Sequence, residues 1–385
     1  MSEKATLQSV FAQHWPAYFA KFEKTMPKAH RQAAESILAC RTPVRGMVRS
    51  RCAGCGCEHS APLSCGHRAC ALCGTAQARA WSARRSEKLL PVEHFLVTFT
   101  VPEELRMVLR SHQREGLAAL FRASSLALRM VFKKHLQGEP GWTSVLHTWT
   151  RQLAYHPHIH SIVAGCASGK DGAVRRLKKA GYLVPGAQLS TAYRDALKAA
   201  LDASPALAEP LAALPGATWT RRWVVHIAPV GRGEKAMSYL ARYVQKTALD
   251  SARIVASDER GVTIAWRDRE TKLARRTTLS GEEFLRRFLQ HVLPSGFMRI
   301  RHGGFYAAAA KARYQKLGAL LGHFDNRPKP EAEVWGATCE KCGGRMVVES
   351  IQIRKTVIFT KAGQRRILAE LRAEKPAEPT QERGP

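Results

Sequence analysis

The chain has 385 residues, 45% of them hydrophobic and 24% charged, so it can bury one large core or several small ones. Its 61 Lys and Arg residues against 31 Asp and Glu residues give a formal net charge of +30, which makes nucleic acid the expected partner. No run approaches the roughly 18 apolar residues of a membrane span and MSEKATLQSV has no secretory core, so we expect a soluble, cytoplasmic protein without membrane contact.

The first half of the chain predicts helices before strands. Residues 1 to about 50 read as two helices, FAQHWPAYFAKFEKTM and HRQAAESILAC, ahead of a cysteine-rich block. A helix rich in Ala and Arg is predicted from about Thr75 to Lys88. Hydrophobic patterning then predicts a strand, a long helix and two more strands, at 94–101, 103–137, 142–150 and 158–165.

The second half mixes both element types. The Gly-, Lys- and Pro-rich stretch 166–188 is predicted to be a loop, and 204–217 a connector. Strands are predicted at 219–229 and in RIVASDERGVTIAW, ARRTTL and FMRIR. Helices are predicted at 189–203, from after Gly233 to about Leu249, at 282–293 and in YAAAAKARYQKLGALLG. Because strands and helices mix without regular alternation, the fold class is α+β with a largely antiparallel sheet.

The cysteines are clustered like metal ligands. Seven of the ten lie between positions 40 and 73, and Cys52-x2-Cys55 and Cys70-x2-Cys73 are knuckles separated by 14 residues. Each knuckle offers two thiolates to a tetrahedral Zn²⁺, whereas buried reduced thiols are the plainer alternative. Four further side chains in the gap leave the choice of ligands, and of one or two metals, open: Cys57, His59, Cys65 and His67.

A late pair, Cys339-x2-Cys342, has no cysteine or histidine after it and is half a zinc site. It either takes ligands from the N-terminal block, where Cys57 and Cys65 are spare, or stays without metal. The shared arrangement would bring the two ends of the chain together. Cys40 and Cys166 have no evident partners and are expected to be small core residues.

The segment YHPHIH, residues 155–160, predicts a divalent metal site. Alternate residues of a strand share a face, so His158 and His160 point the same way and Ile159 points into the core. His156 would share that face if the strand began early enough, despite Pro157. A surface strand that happens to carry histidines is the plainer interpretation, but three within five residues favour a metal.

The helix EKAMSYLARYVQKTA, residues 234–248, carries a second constellation. Tyr239 and Tyr243 lie one turn apart, away from the apolar stripe and beside three cations: Lys235, Arg242 and Lys246. The phenols could stack on bases or bind phosphate. Alternatively they are nucleophiles that attack phosphorus, with the cations stabilising the phenolate and the charge that develops.

Taken together, these motifs resemble the HUH endonucleases and, more closely, the two-tyrosine rolling-circle transposases of the insertion sequence 91 family. The matching segments run in order along nearly the whole chain: the cysteine block, LHTW (146–149), YHPHIH, WVVHIAP (223–229), YLARYV (239–244), VTIAWRD (262–268), residues 282–304 and CEKCGGRM (339–346). Members usually carry S-C-x-N-R-H-C-P-x-C. SCGHRACALC departs from this with Ala69 and Ala71, which leaves His67 as a candidate substitute ligand.

The resemblance implies a fold, cofactors and a reaction. The fold would be an HUH-like antiparallel sheet flanked by helices, preceded by a helical zinc-binding domain. His158 and His160 would hold Mg²⁺ or Mn²⁺, with His156 or His147 as third ligand, and Tyr239 or Tyr243 would form a 5′-phosphotyrosine with single-stranded DNA. Structural Zn²⁺ would be held by cysteines from both ends of the chain: Cys52, Cys55, Cys65, Cys70, Cys73, Cys339 and Cys342.

The sequence therefore predicts four regions: a zinc-binding domain at 1–92, a catalytic domain at 93–322, a segment with the late knuckle at 323–372, and a disordered tail at 373–385. The partners would be element ends and target DNA in the bacterial nucleoid, and nothing indicates a protein partner. Two other classes compete with this interpretation. A non-catalytic zinc protein that binds nucleic acid explains the charge but not the histidines with the tyrosines, and a metal-dependent hydrolase would not need +30.

Overall fold

The protein is described here from a computed structural model that covers residues 5–73, 81, 85–232, 248–268, 270–323, 338–353 and 356–373, with side chains up to 367. It consists of two compact units. The first unit is formed by 1–34 and 67–326, and the second by 35–66 and 327–385. Within the described ranges, none of the helices combines the length and the hydrophobicity that crossing a membrane requires.

Ten helices and thirteen strands are found in the described residues. The helices are α1 (Leu7–Phe22), α2 (Lys28–Leu38), α3 (Glu103–Ser111), α4 (Gln113–Leu136), α5 (Gly186–Asp202), α6 (Ala208–Ala212), α7 (Ala217–Thr220), α8 (Gly281–Leu289), α9 (Lys311–Leu320) and α10 (Lys361–Ala373). The strands are β1 (Met47–Cys52), β2 (Glu58–Pro62), β3 (Glu93–Phe99), β4 (Gly138–Trp149), β5 (Tyr155–Gly169), β6 (Val174–Arg176), β7 (Val225–Arg232), β8 (Ile254–Asp258), β9 (Gly261–Arg267), β10 (Ala274–Leu279), β11 (Ile300–Gly304), β12 (Met346–Ile353) and β13 (Thr356–Phe359).

A six-stranded sheet forms the centre of the first unit. Its strand order is β11-β4-β5-β3-β7, with β6 paired to β5, and every pairing is antiparallel. The long central strands β4 and β5 are joined by a tight turn in which the Thr150 side chain accepts hydrogen bonds from the backbone of Gln152 and Ala154. This hairpin places the segments LHTW and YHPHIH side by side.

The two faces of this sheet differ. One face packs against α4 and α5 through a large apolar core that includes Phe99, Leu146 and Ile159. On the other face, Leu96, Val145 and Ile162 pack against residues near the C-terminal end of the unit, among them Phe305 and Leu317. Because side chains alternate along a strand, the next positions on this second face are Thr98, His147 and His160. The second face therefore changes from apolar to polar along the strands.

A smaller sheet of order β10-β9-β8 follows in the same unit. Its inner side buries Val262 and Ile264. Helix α8 follows β10 directly and packs against α1, with the Phe11 and Phe288 rings 5.4 Å apart in an edge-to-face arrangement. Apolar contacts thus tie the first helix of the chain to the region after residue 250.

The second unit contains a four-stranded antiparallel sheet of order β13-β12-β1-β2. Strand β1 pairs with β12, so that Cys52 lies opposite Met346 at the end of the ladder. The two strands come from opposite ends of the chain. The beginning of β1 and the end of β12 also meet closely at Gly46, whose φ of +114° and contact with the Gln352 carbonyl leave no room for a side chain.

The predicted α+β class with antiparallel sheets is confirmed. The predicted loop 166–188 is partly wrong, because β5 continues to Gly169. Gly172 then has a φ of +80°, which allows a tight turn into β6. The predicted strand 219–229 begins only at Val225. The residues before Val225 instead fold back, so that the Trp223 indole N–H donates a hydrogen bond to the Thr218 carbonyl at 2.9 Å.

Three of the predicted helices differ from the structure or lie largely outside the described residues. The single helix predicted over 103–137 is divided at His112, whose φ of −120° and ψ of 60° are not helical. The predicted helix that ends near Leu249 lies largely outside the described residues, as does most of the helix predicted from Thr75 to Lys88. The two compact units combine stretches of the chain differently from the predicted domains. The predicted domain limits, 1–92, 93–322, 323–372 and 373–385, stay a prediction.

Candidate functional site

Three histidines meet on the polar end of the second face of the central sheet. His147 on β4 lies directly opposite His158 on β5, and His160 follows two residues later on the same strand. One nitrogen from each ring lies within 4.8 Å of the others, a spacing that can hold one metal ion. The rings are buried, with exposed fractions of 6–8%. The structure therefore brings together His158 and His160, as the strand pattern predicts, with His147, one of the two candidates for the third ligand.

His156, the third ligand in the predicted set, is not in this group. The reason is a bulge in the hairpin: His147 pairs with His158, but Trp149 pairs with Tyr155, so β5 has one extra residue at 156–157. The extra residue interrupts the alternation that would have kept His156 on the common face. Burial, with a smaller contribution from Arg106, lowers the pKa of His156 to about 4, so its ring is neutral at pH 7.

Hydrogen bonds orient two of the three rings. Nδ1 of His158 lies 2.6 Å from the backbone carbonyl of His156, and because a carbonyl only accepts, Nδ1 carries the proton and Nε2 the lone pair. Nδ1 of His160 lies 3.1 Å from the Thr98 hydroxyl on β3. Partners of this kind fix the tautomer and the orientation of metal-binding imidazoles. The extra residue of the bulge thus supports the site through its backbone.

The ring of His147 is held by packing. Its centroid lies 4.1 Å from the ring of Trp149, and the Arg299 guanidinium covers the Trp149 ring at 4.9 Å. Arg299 also donates from Nε to the Leu146 carbonyl at 3.1 Å. Burial, and then the neighbouring Arg68, lower the pKa of Arg299 to about 10, which still leaves it cationic at pH 7. A positive charge therefore lies over the Trp149 ring that packs against His147.

Two further titratable residues border the site without joining it. His291 is buried, its Nδ1 lies 3.2 Å from the Thr148 hydroxyl and its Nε2 lies 3.1 Å from the Leu153 carbonyl. Burial lowers the pKa of His291 to about 3, so it is neutral at pH 7. The ring of Tyr155 stacks on His291 at 6.1 Å, and burial raises the pKa of its phenol. A buried phenol of this kind is not poised as a nucleophile at neutral pH.

The predicted nucleophiles and their neighbouring cations lie outside the described residues. These are Tyr239 and Tyr243 with Lys235, Arg242 and Lys246. The strand that leads into this segment, β7, pairs with β3 on the side opposite to β5, with His226 facing Thr98 in the ladder. The roles of the two tyrosines and the three cations stay predictions.

A thiol cluster forms a second candidate metal site, inside the second unit. The sulfur atoms of Cys52, Cys55, Cys339 and Cys342 lie within 4.8 Å of one another. Cys52 and Cys342 approach to 3.4 Å, and Cys55 and Cys339 to 3.7 Å. A zinc ion with Zn–S bonds of about 2.3 Å needs sulfur atoms about 3.8 Å apart, close to these distances. The late knuckle is thus placed against the N-terminal block, which was one of the two predicted arrangements. Its partners in this group are Cys52 and Cys55, and not the spare thiols Cys57 or Cys65 that the sequence suggested.

Both knuckles have the turn geometry of zinc ligand loops. The backbone N–H of Gly54 points at the Cys52 sulfur and that of Gly344 at the Cys342 sulfur, each at 3.4 Å. Such N–H donors stabilise negative charge on sulfur. Gly344 leaves little space for a side chain, since a Cβ there would lie 3.1 Å from the Cys52 sulfur and 3.2 Å from that of Cys342. The donor set and the turns fit Zn²⁺.

The other predicted zinc ligands are also buried thiols. Cys65 is buried in the second unit, where its carbonyl accepts a hydrogen bond from Arg45, and Cys70 and Cys73 are buried residues of the first unit. Their assignment to zinc stays a prediction. Cys57 also belongs to the second unit and lies next to the four-thiol cluster.

Sequence reasoning missed Thr98 and Trp149 as supporting residues. A signal for Thr98 was present, because it is a polar residue inside the apolar strand HFLVTFTV. No signal in the sequence revealed the β3–β5 register that places Thr98 opposite His160. A signal for Trp149 was also present, because it belongs to the segment LHTW and lies two positions after His147, a spacing that puts two residues of a strand on one face.

Two family models match parts of the chain, and the chain is similar to known proteins. A family model described as "Transposase zinc-binding domain" matches residues 10–101, and one described as "Putative transposase" matches residues 141–313. The chain is 33% identical to "Putative transposase y4qJ" of Sinorhizobium fredii, over 81% of this chain and 83% of that protein. It is 27% identical to "Transposase for insertion sequence element IS801" of Pseudomonas savastanoi pv. phaseolicola, over 82% of each chain.

Proposed function

We propose that this chain, which belongs to the insertion sequence 91 family of transposases, nicks and rejoins single-stranded DNA at element ends by a rolling-circle mechanism. The observation that carries the proposal is the group formed by His147, His158 and His160 on adjacent central strands. Three imidazoles on a rigid sheet leave coordination positions for a substrate oxygen, as catalytic metal sites do. A purely structural role would not need such a set.

The histidine group fits a divalent cation. Among the described residues it contains three nitrogen donors and no carboxylate, and Mg²⁺ prefers oxygen ligands, so we propose that Mn²⁺ binds here more tightly than Mg²⁺. When bound, the ion supplies a Lewis acid that polarises the scissile phosphate. Thr98 and the His156 carbonyl hold two of the imidazoles in orientation, and Trp149 holds the third. The charge of Arg299 favours an anionic phosphate nearby.

The nucleophile in this proposal is Tyr239 or Tyr243. The phenol oxygen attacks phosphorus, the bond between phosphorus and the 3′ oxygen breaks, and that oxygen leaves as a free 3′-hydroxyl once it has taken up a proton. The strand stays attached through a 5′-phosphotyrosine, which conserves the phosphodiester energy for rejoining. The second tyrosine accepts a second strand. Lys235, Arg242 and Lys246 contact phosphate, and the net charge of +30 favours DNA generally and retention at the nucleoid.

We propose that Cys52, Cys55, Cys339 and Cys342 hold one structural Zn²⁺. Their sulfur distances and the N–H donors of the knuckles support this assignment. Four thiolates with one Zn²⁺ fill a tetrahedral shell, which leaves no position for a substrate. This ion would therefore connect β1 with the segment before β12 and take no part in strand transfer.

Incubation of the full chain with single-stranded DNA and Mn²⁺ tests the proposal. The expected product is a protein–DNA adduct that survives denaturation and whose phosphate maps to Tyr239 or Tyr243. Tyr239→Phe combined with Tyr243→Phe should remove the adduct and leave DNA affinity unchanged, because the rings and the charge remain. Cut DNA without an adduct would support a metal-dependent hydrolase instead. Binding without cleavage would support a non-catalytic zinc protein, and either result contradicts the proposal.

A further inference from the structure

The thiol cluster of the second unit contains a fifth cysteine that a four-coordinate metal has no position for. The sulfur of Cys57 lies 3.1 Å from the sulfur of Cys339. Two thiolates bound to one zinc ion are about 3.8 Å apart, and the Cys57 sulfur is not one of the four that all lie within 4.8 Å of one another. Cys55 meets Cys339 at 3.7 Å, close to the ligand spacing. Cys57 is therefore a thiol outside the coordination shell that contacts one of its members.

We propose that Cys57 is an oxidation site that forms a disulfide with Cys339 and thereby releases the structural zinc. The inference rests on the proposed zinc ligands of this unit. A disulfide has a sulfur–sulfur distance of about 2.05 Å, so the two atoms need to approach by about 1 Å from their present separation. The local turn holds Cys57 in place, since its carbonyl accepts a hydrogen bond from the Cys52 backbone at 2.9 Å.

The relative exposure of the two thiols sets the order of events. Cys57 is partly exposed, whereas Cys339 is 5% exposed. The exposed thiols Cys55 and Cys342 are proposed zinc ligands, so Cys57 is the thiol outside the shell that a peroxide reaches, before Cys339. The Cys57 thiol becomes a sulfenic acid as the peroxide is reduced to water. The Cys339 thiolate then attacks the sulfenic sulfur, and the hydroxide that leaves takes up a proton to give a second water. Two electrons pass from the two sulfurs to one peroxide.

The consequence for the metal follows from ligand number. The disulfide sulfur of Cys339 is no longer a thiolate, so Zn²⁺ keeps only Cys52, Cys55 and Cys342. Because four thiolates hold a structural zinc and its affinity is part of the folding free energy, losing one ligand weakens both. The disulfide would still join β2 to the residues before β12. Oxidation would thus replace one cross-link between the two ends of the chain by another.

The experiment uses the zinc-loaded full chain, treated with a few equivalents of hydrogen peroxide and then alkylated. Trypsin leaves Cys52, Cys55 and Cys57 on one peptide and separates Cys339 from Cys342, because Lys341 lies between them. Fragmentation of the linked peptides then identifies the bonded pair. We expect a Cys57–Cys339 disulfide and release of zinc, measured with a coloured chelator. In Cys57→Ala, release should be roughly tenfold slower.

Control variants separate this inference from the zinc assignment. Cys166→Ala removes a buried thiol of the first unit and should release zinc like the unchanged chain. If Cys57→Ala binds zinc normally but releases it as fast as the unchanged chain, or if the disulfide joins Cys339 to Cys55, the inference is wrong. If Cys57→Ala fails to bind zinc, Cys57 is itself a ligand and the inference also fails. If Cys52→Ser keeps its zinc, the proposed ligand set is wrong.

Discussion

The histidine group of the first unit and the thiol cluster of the second unit collect metal-binding side chains in opposite ways. The histidines come from one hairpin, with His147 and His158 facing each other across two central strands. The thiols come from opposite ends of the chain, since Cys52 and Cys342 are 290 positions apart. The first site has three nitrogen donors, and the second has four sulfur donors that fill a tetrahedral shell.

This difference indicates different roles. Strands β4 and β5 are formed by apolar packing on both faces of the sheet, so the histidines are positioned whether or not a metal is bound. A rigid site with open positions suits catalysis. Among the described residues, the apolar packing around the thiol cluster consists of Met346 and the cysteines themselves. In the second unit a bound metal would therefore stabilise the fold, whereas in the first unit the fold positions the metal ligands.

The largest expected effect is on strand cleavage. His160→Ala removes one of three ligands, and adduct formation should fall at least about a thousandfold because the charge of the scissile phosphate is no longer offset. DNA affinity should change little, since it depends on the overall positive charge. The measurement is adduct yield at a fixed concentration of single-stranded DNA.

His302→Ala is the matched control for this variant. His302 also lies on the central sheet and pairs with a threonine, with its Nδ1 3.0 Å from the Thr143 hydroxyl, but it is not in the histidine group. Its adduct yield should stay near that of the unchanged chain. Equal losses in the two variants would mean that the histidines of this sheet stabilise the fold and do not act in cleavage.

The second effect is on the thiol cluster. Cys342→Ser should lower the zinc content by one ion per chain and expose the second unit to protease, because metal affinity there is folding free energy. Mn²⁺ binding by the histidine group should be unchanged, since no ligand of that group is altered. The measurements are elemental analysis, limited proteolysis and Mn²⁺ titration. Unchanged zinc content would exclude Cys342 as a ligand.

The same contrast explains how much the sequence could predict. The period of two in a strand was enough to place His158 and His160 on one face, because that relation is local. The same period did not show that His156 lies outside the histidine group, since the extra residue at 156–157 is visible only in the pairing of β5 with β4. The partners of Cys52 depend on a contact across nearly the whole chain. Spacing within a motif indicates ligand type but not which distant knuckle closes the site.

The third prediction concerns the hydrogen bond that orients His160. Thr98→Val keeps the size of the side chain and removes the hydroxyl, so Mn²⁺ affinity should fall roughly 10- to 100-fold. Thr98→Ser should restore most of it. Thr143→Val removes the equivalent hydrogen bond to His302 and serves as the control. If both valine variants bind Mn²⁺ equally well, Thr98 does not position the ligand.

The smallest effect is on the pH dependence of the first unit. The pKa of His291 is about 3 in the fold against 6.5 for an unperturbed histidine, so the unfolded state binds a proton first as the pH falls. The contribution of His291 to the free energy of unfolding is fully present above pH 6.5. It declines between pH 6.5 and 3, by up to about 1.4 kcal/mol per pH unit. His291→Gln should flatten the decline in urea midpoints between pH 7 and 5. An unaltered slope would contradict the buried neutral state.

Anomalous diffraction at the manganese edge, from crystals soaked in MnCl2, tests directly whether His147, His158 and His160 hold the catalytic metal on two adjacent strands. We expect one peak bonded to nitrogen atoms of these three residues, with His156 outside the coordination shell. A peak bonded to His156 instead of His147, or no peak at this group in crystals soaked at saturating Mn²⁺, would contradict it.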